Sequence, residues 1–229
     1  MNAPAFFSCA RPALPRRPTR AMSLVELLTV MAIMGIVMAL ATASYRSLSD
    51  SVEITNGTQQ VVDSLALARQ IATSKNEYAQ VRFYAPKTGS DIRKGQFTAV
   101  GVFRADAPLY GTESDYQTWE TQGRFRKAAP MARIAGNCVV LNHATYSPLF
   151  PILSGLQHSG TETFPDGTIY DWAGFYFKPD GSIDLTADAA SNSLSVCSLK
   201  SFLAQNKLPP SYATLVIDPV IGRSQVIRP

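Results

Sequence analysis

The sequence predicts an α+β fold in which a long N-terminal helix precedes an antiparallel β head, and three observations carry that prediction. An uncharged run of 19 residues extends from Leu27 to Tyr45, an amphipathic helical stripe follows at residues 61–72, and from Tyr78 onward apolar residues recur with a period of two. The chain has 229 residues, 46% of them apolar and only 17% charged, which is enough for a buried core and excludes a disordered chain.

The charge is unevenly spread. Four of the 21 basic residues, Arg11, Arg16, Arg17 and Arg20, lie in the first 21 positions, where there is no acid. Without them the remaining 17 basic residues equal the 17 acidic ones, so the body of the chain is neutral. A basic nucleic-acid-binding body is thereby disfavoured.

The run Leu27–Tyr45 has the length of a membrane span, since about 20 residues at 1.5 Å each cross a hydrocarbon core of roughly 30 Å. It is too long for the core of a cleaved secretory signal and ends in Tyr45-Arg46-Ser47 instead of a small-residue cleavage site. Arginines before the run place the N-terminus in the cytoplasm and the remainder outside. Between Arg20 and Arg46 the one charge is Glu26, an acid at the edge of a membrane helix that calls for a partner. Two readings exist. Ser23-Leu24-Val25-Glu26 has the spacing of a capping box, in which Glu26 returns to the cap and meets the positive end of the helix dipole. Alternatively, the acid serves an intermolecular contact.

The junction Arg20-Ala21-Met22-Ser23-Leu24-Val25-Glu26-Leu27-Leu28 resembles the N-terminal methylation motif of type IV prepilins and type II secretion pseudopilins. Gly35 matches as well. Three positions depart from the family pattern: Ala21 replaces the usual Gly, Met22 the usual Phe, and Ala43 the mid-helix proline. The resemblance implies a leader over residues 1–21 and cleavage between Ala21 and Met22 by a prepilin peptidase. It also implies N-methylation of Met22 and a transmembrane assembly helix over 22–45. Glu26 would pair with the amine of an adjacent subunit. The implied partners are other pilin or pseudopilin subunits, an inner-membrane assembly platform and membrane lipid. The implied location is a single-pass inner-membrane protein with a periplasmic head, later a filament.

Residues 46–77 continue the helix. Val61, Leu65, Ala68 and Ala72 follow i, i+4, i+7, i+11, with Val62 and Ile71 widening the face, a stripe that packs on the chain's own head or on neighbouring helices, the former being the better reading. Asn56-Gly57, two poor helix formers, predict a kink.

Residues 78–229 form the head. Strands are predicted at 78–84, 96–104, 138–141, 172–178, 213–217 and 224–227. Pro179-Asp180-Gly181 predicts a turn joining the 172–178 strand to a strand Ser182-Ile183-Asp184-Leu185, and Asp218-Pro219 with Gly222 a terminal hairpin. The polar segments 105–135 and 187–210 read as long loops or short irregular elements. With the long helix ahead of it, this order resembles the pilin-like fold. Leu65-Ala66-Leu67-Ala68-Arg69, Phe175–Gly181 and Val216–Arg223 look like the H-type minor pseudopilins and fimbrial T-type minor pilins. Val81-Arg82-Phe83-Tyr84 and the C-terminal run from Ile217 look closer to the Verru_Chthon cassette protein D group.

No motif of an enzyme is present. There is no HExxH, CxxC, P-loop, GxGxxG or GxSxG pattern, and the two histidines, His143 and His158, read as polar loop residues. Asp180, Asp184 and Asp188 have oxygen ligands for Ca²⁺ but not an EF-hand spacing, and read as solvated turn acids; no cofactor is called for. Cys138 and Cys197 are either a disulfide, worth roughly 4 kcal/mol if unstrained, or two buried thiols, while Cys9 leaves with the leader. Arg223 and Arg228 are the candidates for phosphate contacts, but two arginines on a neutral body make DNA a poor partner. The best reading is a non-enzymatic pilin-like subunit. The rival is an extracytoplasmic binding domain or enzyme held by a plain signal anchor.

Overall fold

The computed structural model describes residues 23–87, 93–106, 116–155, 158–165, 167–185, 191–205 and 207–229. The leader, Ala21, Met22 and Asp188 lie outside the described residues. The chain divides into two units, Met1–Tyr45 and Arg46–Pro229.

Helix α1 (Leu24–Lys75) supplies residues to both units. It runs unbroken through Asn56-Gly57, so the predicted kink is not a break in the helix. The reason is packing: a Cβ on Gly57 would stand 3.0 Å from Ile134 and 3.2 Å from Cys138. The glycine lets the helix backbone approach the head, and that burial outweighs a propensity penalty of about 1 kcal/mol. The helix stops at Asn76, whose φ of 54° is a left-handed C-terminal conformation.

In the second unit, β1 (Ala79–Pro86), β2 (Ala99–Ala105), β3 (Phe125–Lys127), β4 (Ala132–Arg133), β6 (Ser159–Thr163) and β7 (Ile169–Phe177) form one antiparallel sheet. Its order is β3-β2-β1-β7-β6, with β4 also on β2. A second antiparallel sheet has the order β10-β9-β8-β5, from β5 (Cys138–Val140), β8 (Ser193–Ser198), β9 (Tyr212–Asp218) and β10 (Arg223–Ile227). Short helices α2 (Tyr116–Thr121), α3 (Leu149–Gly155) and α4 (Leu199–Gln205) complete the described elements.

The predicted stripe on α1 is the core seam. Val61, Leu65, Ala68 and Ala72 are buried, joined by Ile54, and share one cluster with Val81, Phe83, Val102, Phe175 and Phe177 of the first sheet. Val140, Val196, Leu215 and Ile217 of the second sheet belong to it too. Both sheets therefore enclose the same helical face.

Segments 105–135 and 187–210, expected as long loops or short irregular elements, hold the short α2, β3, β4 and α4 and the regular six-residue strand β8. Ser182–Leu185 is not a strand: only an isolated bridge joins Ile183 to Phe177, and the Ile183 N–H donates instead to the Pro219 carbonyl. Strand β6 and helix α3 were not expected.

Candidate functional site

From Leu24 to Leu40 the side chains of α1 are exposed all round the helix. Leu24, Met31 and Met38 recur every seven residues on one face and Leu40 stands on the opposite one, and each is more than two-thirds exposed. A helix apolar on every face and buried on none within its own chain requires an apolar medium or other helices. Among the described residues no helix is long and apolar enough to cross a membrane. The apolar run continues past Leu40 into residues 41–48, which remain helical but whose side chains lie outside the described ones.

Glu26 sits in the first turn, exposed. The reciprocal capping box is not formed. At that end of the helix the Leu27 N–H donates to the Ser23 carbonyl at 3.1 Å, and the Thr29 hydroxyl donates to the Glu26 carbonyl at 2.9 Å. Among the described residues the Glu26 carboxylate takes no hydrogen bond.

The head carries a second constellation, on the face of the first sheet that points away from α1. Arg82 on β1 has Gly101 on β2 and Gly174 on β7 as its cross-strand neighbours. Glycine on both sides leaves the sheet bare there, and the Arg82 guanidinium lies between the rings of Phe103 and Trp172, 4.4 and 4.2 Å from their centroids. Its Nε donates to the Gln80 side-chain carbonyl at 2.7 Å, and its Nη atoms stand 3.6 Å from Glu162 and 3.9 Å from Glu120. The Tyr84 hydroxyl donates to Glu162 at 2.8 Å, while the Tyr176 hydroxyl and the Gln80 amide both donate to Glu120. Burial raises the Glu120 carboxyl above its ordinary range, opposed by the Tyr176 hydroxyl, Arg82 and Gln80. Burial likewise pushes both tyrosine hydroxyls up. Donors and acceptors are spent on one another, so the cluster braces the outer face. Sequence reasoning missed it because its members come from β1, β2, α2, β6 and β7, and only the Arg82-flanking glycines in strand context hint at it.

The other predicted residues are dispersed. Cys138 and Cys197 are both free and buried. Their strands pair with Cys138 opposite Ser198 and Val139 opposite Cys197, so the thiols are one residue out of register and leave opposite faces of the sheet. Cys138 belongs to the α1 core and Cys197 to a separate cluster with Leu199 and Phe202; the candidate disulfide is not formed. Burial pushes both thiols up to about 12.

Asp180 and Asp184 are not one cation site. Asp180 accepts from the Ser182 N–H and hydroxyl within its turn, contacts that hold its carboxyl below the usual range. Asp184 is buried rather than solvated: it accepts the Tyr176 N–H at 2.7 Å and lies 3.4 Å from His158. His158 is correspondingly a buried residue, edge-on to Tyr176. His143 is exposed and stacks on Tyr146. Arg223 and Arg228 are exposed at the two ends of β10.

Comparison with known proteins agrees with the N-terminal reading. The family described as the prokaryotic N-terminal methylation motif matches residues 16–42. That segment does not distinguish the H-type, T-type and Verru_Chthon branches. No curated protein matches the chain significantly. Among solved structures, the type IV minor pilin FimU of Pseudomonas aeruginosa (strain PAO1) overlaps with a TM-score of 0.38 at 11% identity, covering 79% of this chain and 92% of that one. The chain thus carries the prokaryotic N-terminal methylation motif ahead of a long helix and an antiparallel head.

Proposed function

We propose that the chain is a non-enzymatic minor pilin or pseudopilin. A prepilin peptidase removes residues 1–21, Met22 becomes the methylated N-terminus, and residues 22–45 hold the subunit in the inner membrane with the head in the periplasm. Assembly on an inner-membrane platform then moves that helix from lipid into the core of a type IV pilus or a type II secretion pseudopilus. The observation that carries this reading is the all-round apolar exposure of α1 from Leu24 to Leu40 beside a fully enclosed stripe from Ile54 to Ala72. Among the described residues, the stripe from Ile54 to Ala72 is buried against the head while the apolar side chains from Leu24 to Leu40 are exposed.

Glu26 supplies the polar specificity of that contact. An α-amine titrates near 7.7–8.0 and is largely cationic at neutral pH, so the Met22 amine of one subunit is a counter-charge for the Glu26 of its neighbour. In an apolar surround, removing one member of such a pair costs about 3–5 kcal/mol, whereas losing a helix cap costs about 0.5–2 kcal/mol. Glu26→Ala and Ser23→Ala separate the two roles. Cross-linking to partner subunits is lost in Glu26→Ala and kept in Ser23→Ala, with membrane insertion intact in both. Equal mild effects would support a plain signal anchor.

A further inference from the structure

The five described strands at the margins of the two sheets are not alike. β3 and β4 are three and two residues long and carry Arg126, Lys127 and Arg133, the short cationic form that discourages pairing. β6 is Ser-Gly-Thr-Glu-Thr, with Thr161 and Glu162 tied to Asp171 and Tyr84. β5 is three residues and buried. β10 is as long as β6, five residues, and pairs only with β9, but it differs in its apolar edge, leaving Val226 37% and Ile227 50% exposed. The turn that leads into it exposes Val220 and Ile221 as well.

The register fixes what β10 presents. Val226 and Ser224 oppose Leu215 and Ile217, so they share the face of the buried core, while Ile227 and Gln225 oppose Thr214 and Val216 on the other face. An added strand would thus meet one apolar side chain on each face. Arg223 and Arg228 bracket these residues, and neither has an ion-pair partner among the described residues.

We propose that β10 is a strand-addition edge for a segment of another polypeptide that is extended, apolar at alternate positions and acidic at its ends. Backbone hydrogen bonds supply the affinity in such pairing, and flanking side chains select the partner. The charges also choose against a second copy of this chain. Two β10 strands paired antiparallel bring Arg223 of one to Arg228 of the other at both ends, and in parallel they oppose like with like; either way cations face cations. Arg228 lines a hollow with Ser51, Ile54 and Thr55 of α1, and the proposal does not rest on the assembly role of Glu26.

The test uses the full chain in detergent micelles and two capped peptides of alternating Val and Thr, one with Asp at each end and one with Lys. Amide hydrogen exchange is read over residues 223–227. The Asp-ended peptide protects these amides saturably and the Lys-ended peptide does not. Val226→Lys abolishes the protection, and the double variant Arg223→Glu, Arg228→Glu transfers it to the Lys-ended peptide. No protection by the Asp-ended peptide, equal protection by both, or a concentration-dependent dimer sealed through β10 in sedimentation would overturn the proposal.

Discussion

Gly222 lies directly against the carbonyl of Gly181: a Cβ at Gly222 would stand 2.0 Å from that oxygen. Both glycines have positive φ, 63° and 84°. The turn after β7 and the turn after β9, 41 positions apart, are therefore locked together, with the Ile183 N–H to Pro219 carbonyl bond at 2.8 Å beside them. Gly181 in turn is 3.1 Å from Thr73 of α1, measured from its own added Cβ, so the end of the helix is held at the same place.

Gly222→Ala should destabilise the head well beyond a backbone penalty alone. Left-handed φ costs a non-glycine residue about 1–2 kcal/mol, and here the contact is with backbone that cannot rotate away. Gly167→Ala is the control, since Gly167 has φ of 78° and open space around it. Urea midpoints of the two variants should differ clearly, with Gly222→Ala the lower.

Arg82→Ala should cost about 3 kcal/mol, the lower end for breaking a buried pair, because Glu162 is 39% and Glu120 15% exposed. Arg82→Lys keeps the charge but loses the planar stack on Phe103 and Trp172, and should cost about 1–2 kcal/mol. Thermal unfolding ranks the three proteins; equal stability of the Lys variant and the parent would mean that the rings contribute nothing.

Glu120 gives the head a pH signature. Its carboxyl is raised in the fold, chiefly by burial, so the folded state holds that proton more tightly than the unfolded chain does. The stabilisation is complete below the ordinary carboxyl range and lost as pH rises through the raised value. Glu120→Gln removes this dependence, so between pH 4 and 7 the stability of the variant should rise relative to the parent. Parallel curves would contradict the assignment.

Cys138 and Cys197 should both stay reduced and unreactive. With thiols pushed up to about 12 and buried, neither is alkylated at pH 8 in the native protein, and both are alkylated after denaturation. Because the raised values disfavour thiolate in the fold, their stabilisation is complete below the ordinary thiol range near 9 and fades as pH rises toward 12. A mass two hydrogens short after exposure to oxidant would show the bridge that the register forbids.

The helix stripe and most long strands were legible in the sequence because a core face imposes its period directly: 3.6 on Val61–Ala72 and two on Ala79–Phe83. β8 was not, since Ser193, Ser195 and Ser198 give it the composition of a loop, although Leu194 and Val196 alternate into the core. Its polar side is satisfied by partners from afar, the Ser195 hydroxyl donating to the Tyr146 carbonyl and the Ser195 N–H to the Ser147 hydroxyl. Ser182–Leu185 shows the converse, an alternating pattern that makes no ladder: the Ser182 carbonyl accepts from the Lys178 N–H and the Asp184 N–H donates to the Tyr176 carbonyl, but the Ile183 N–H donates to Pro219 in another turn. The Glu26 motif was legible because it is contiguous. The Arg82 cluster was not, because five elements assemble it and no spacing along the chain records their meeting.

The reading of the chain as a processed pilin-like subunit is tested most directly by the mass of the mature protein after co-expression with a prepilin peptidase. The account predicts a chain that begins at Met22 and carries one added methyl group at its amine. A mature chain that retains Arg16–Ala21, or one cut beyond Tyr45, would contradict it.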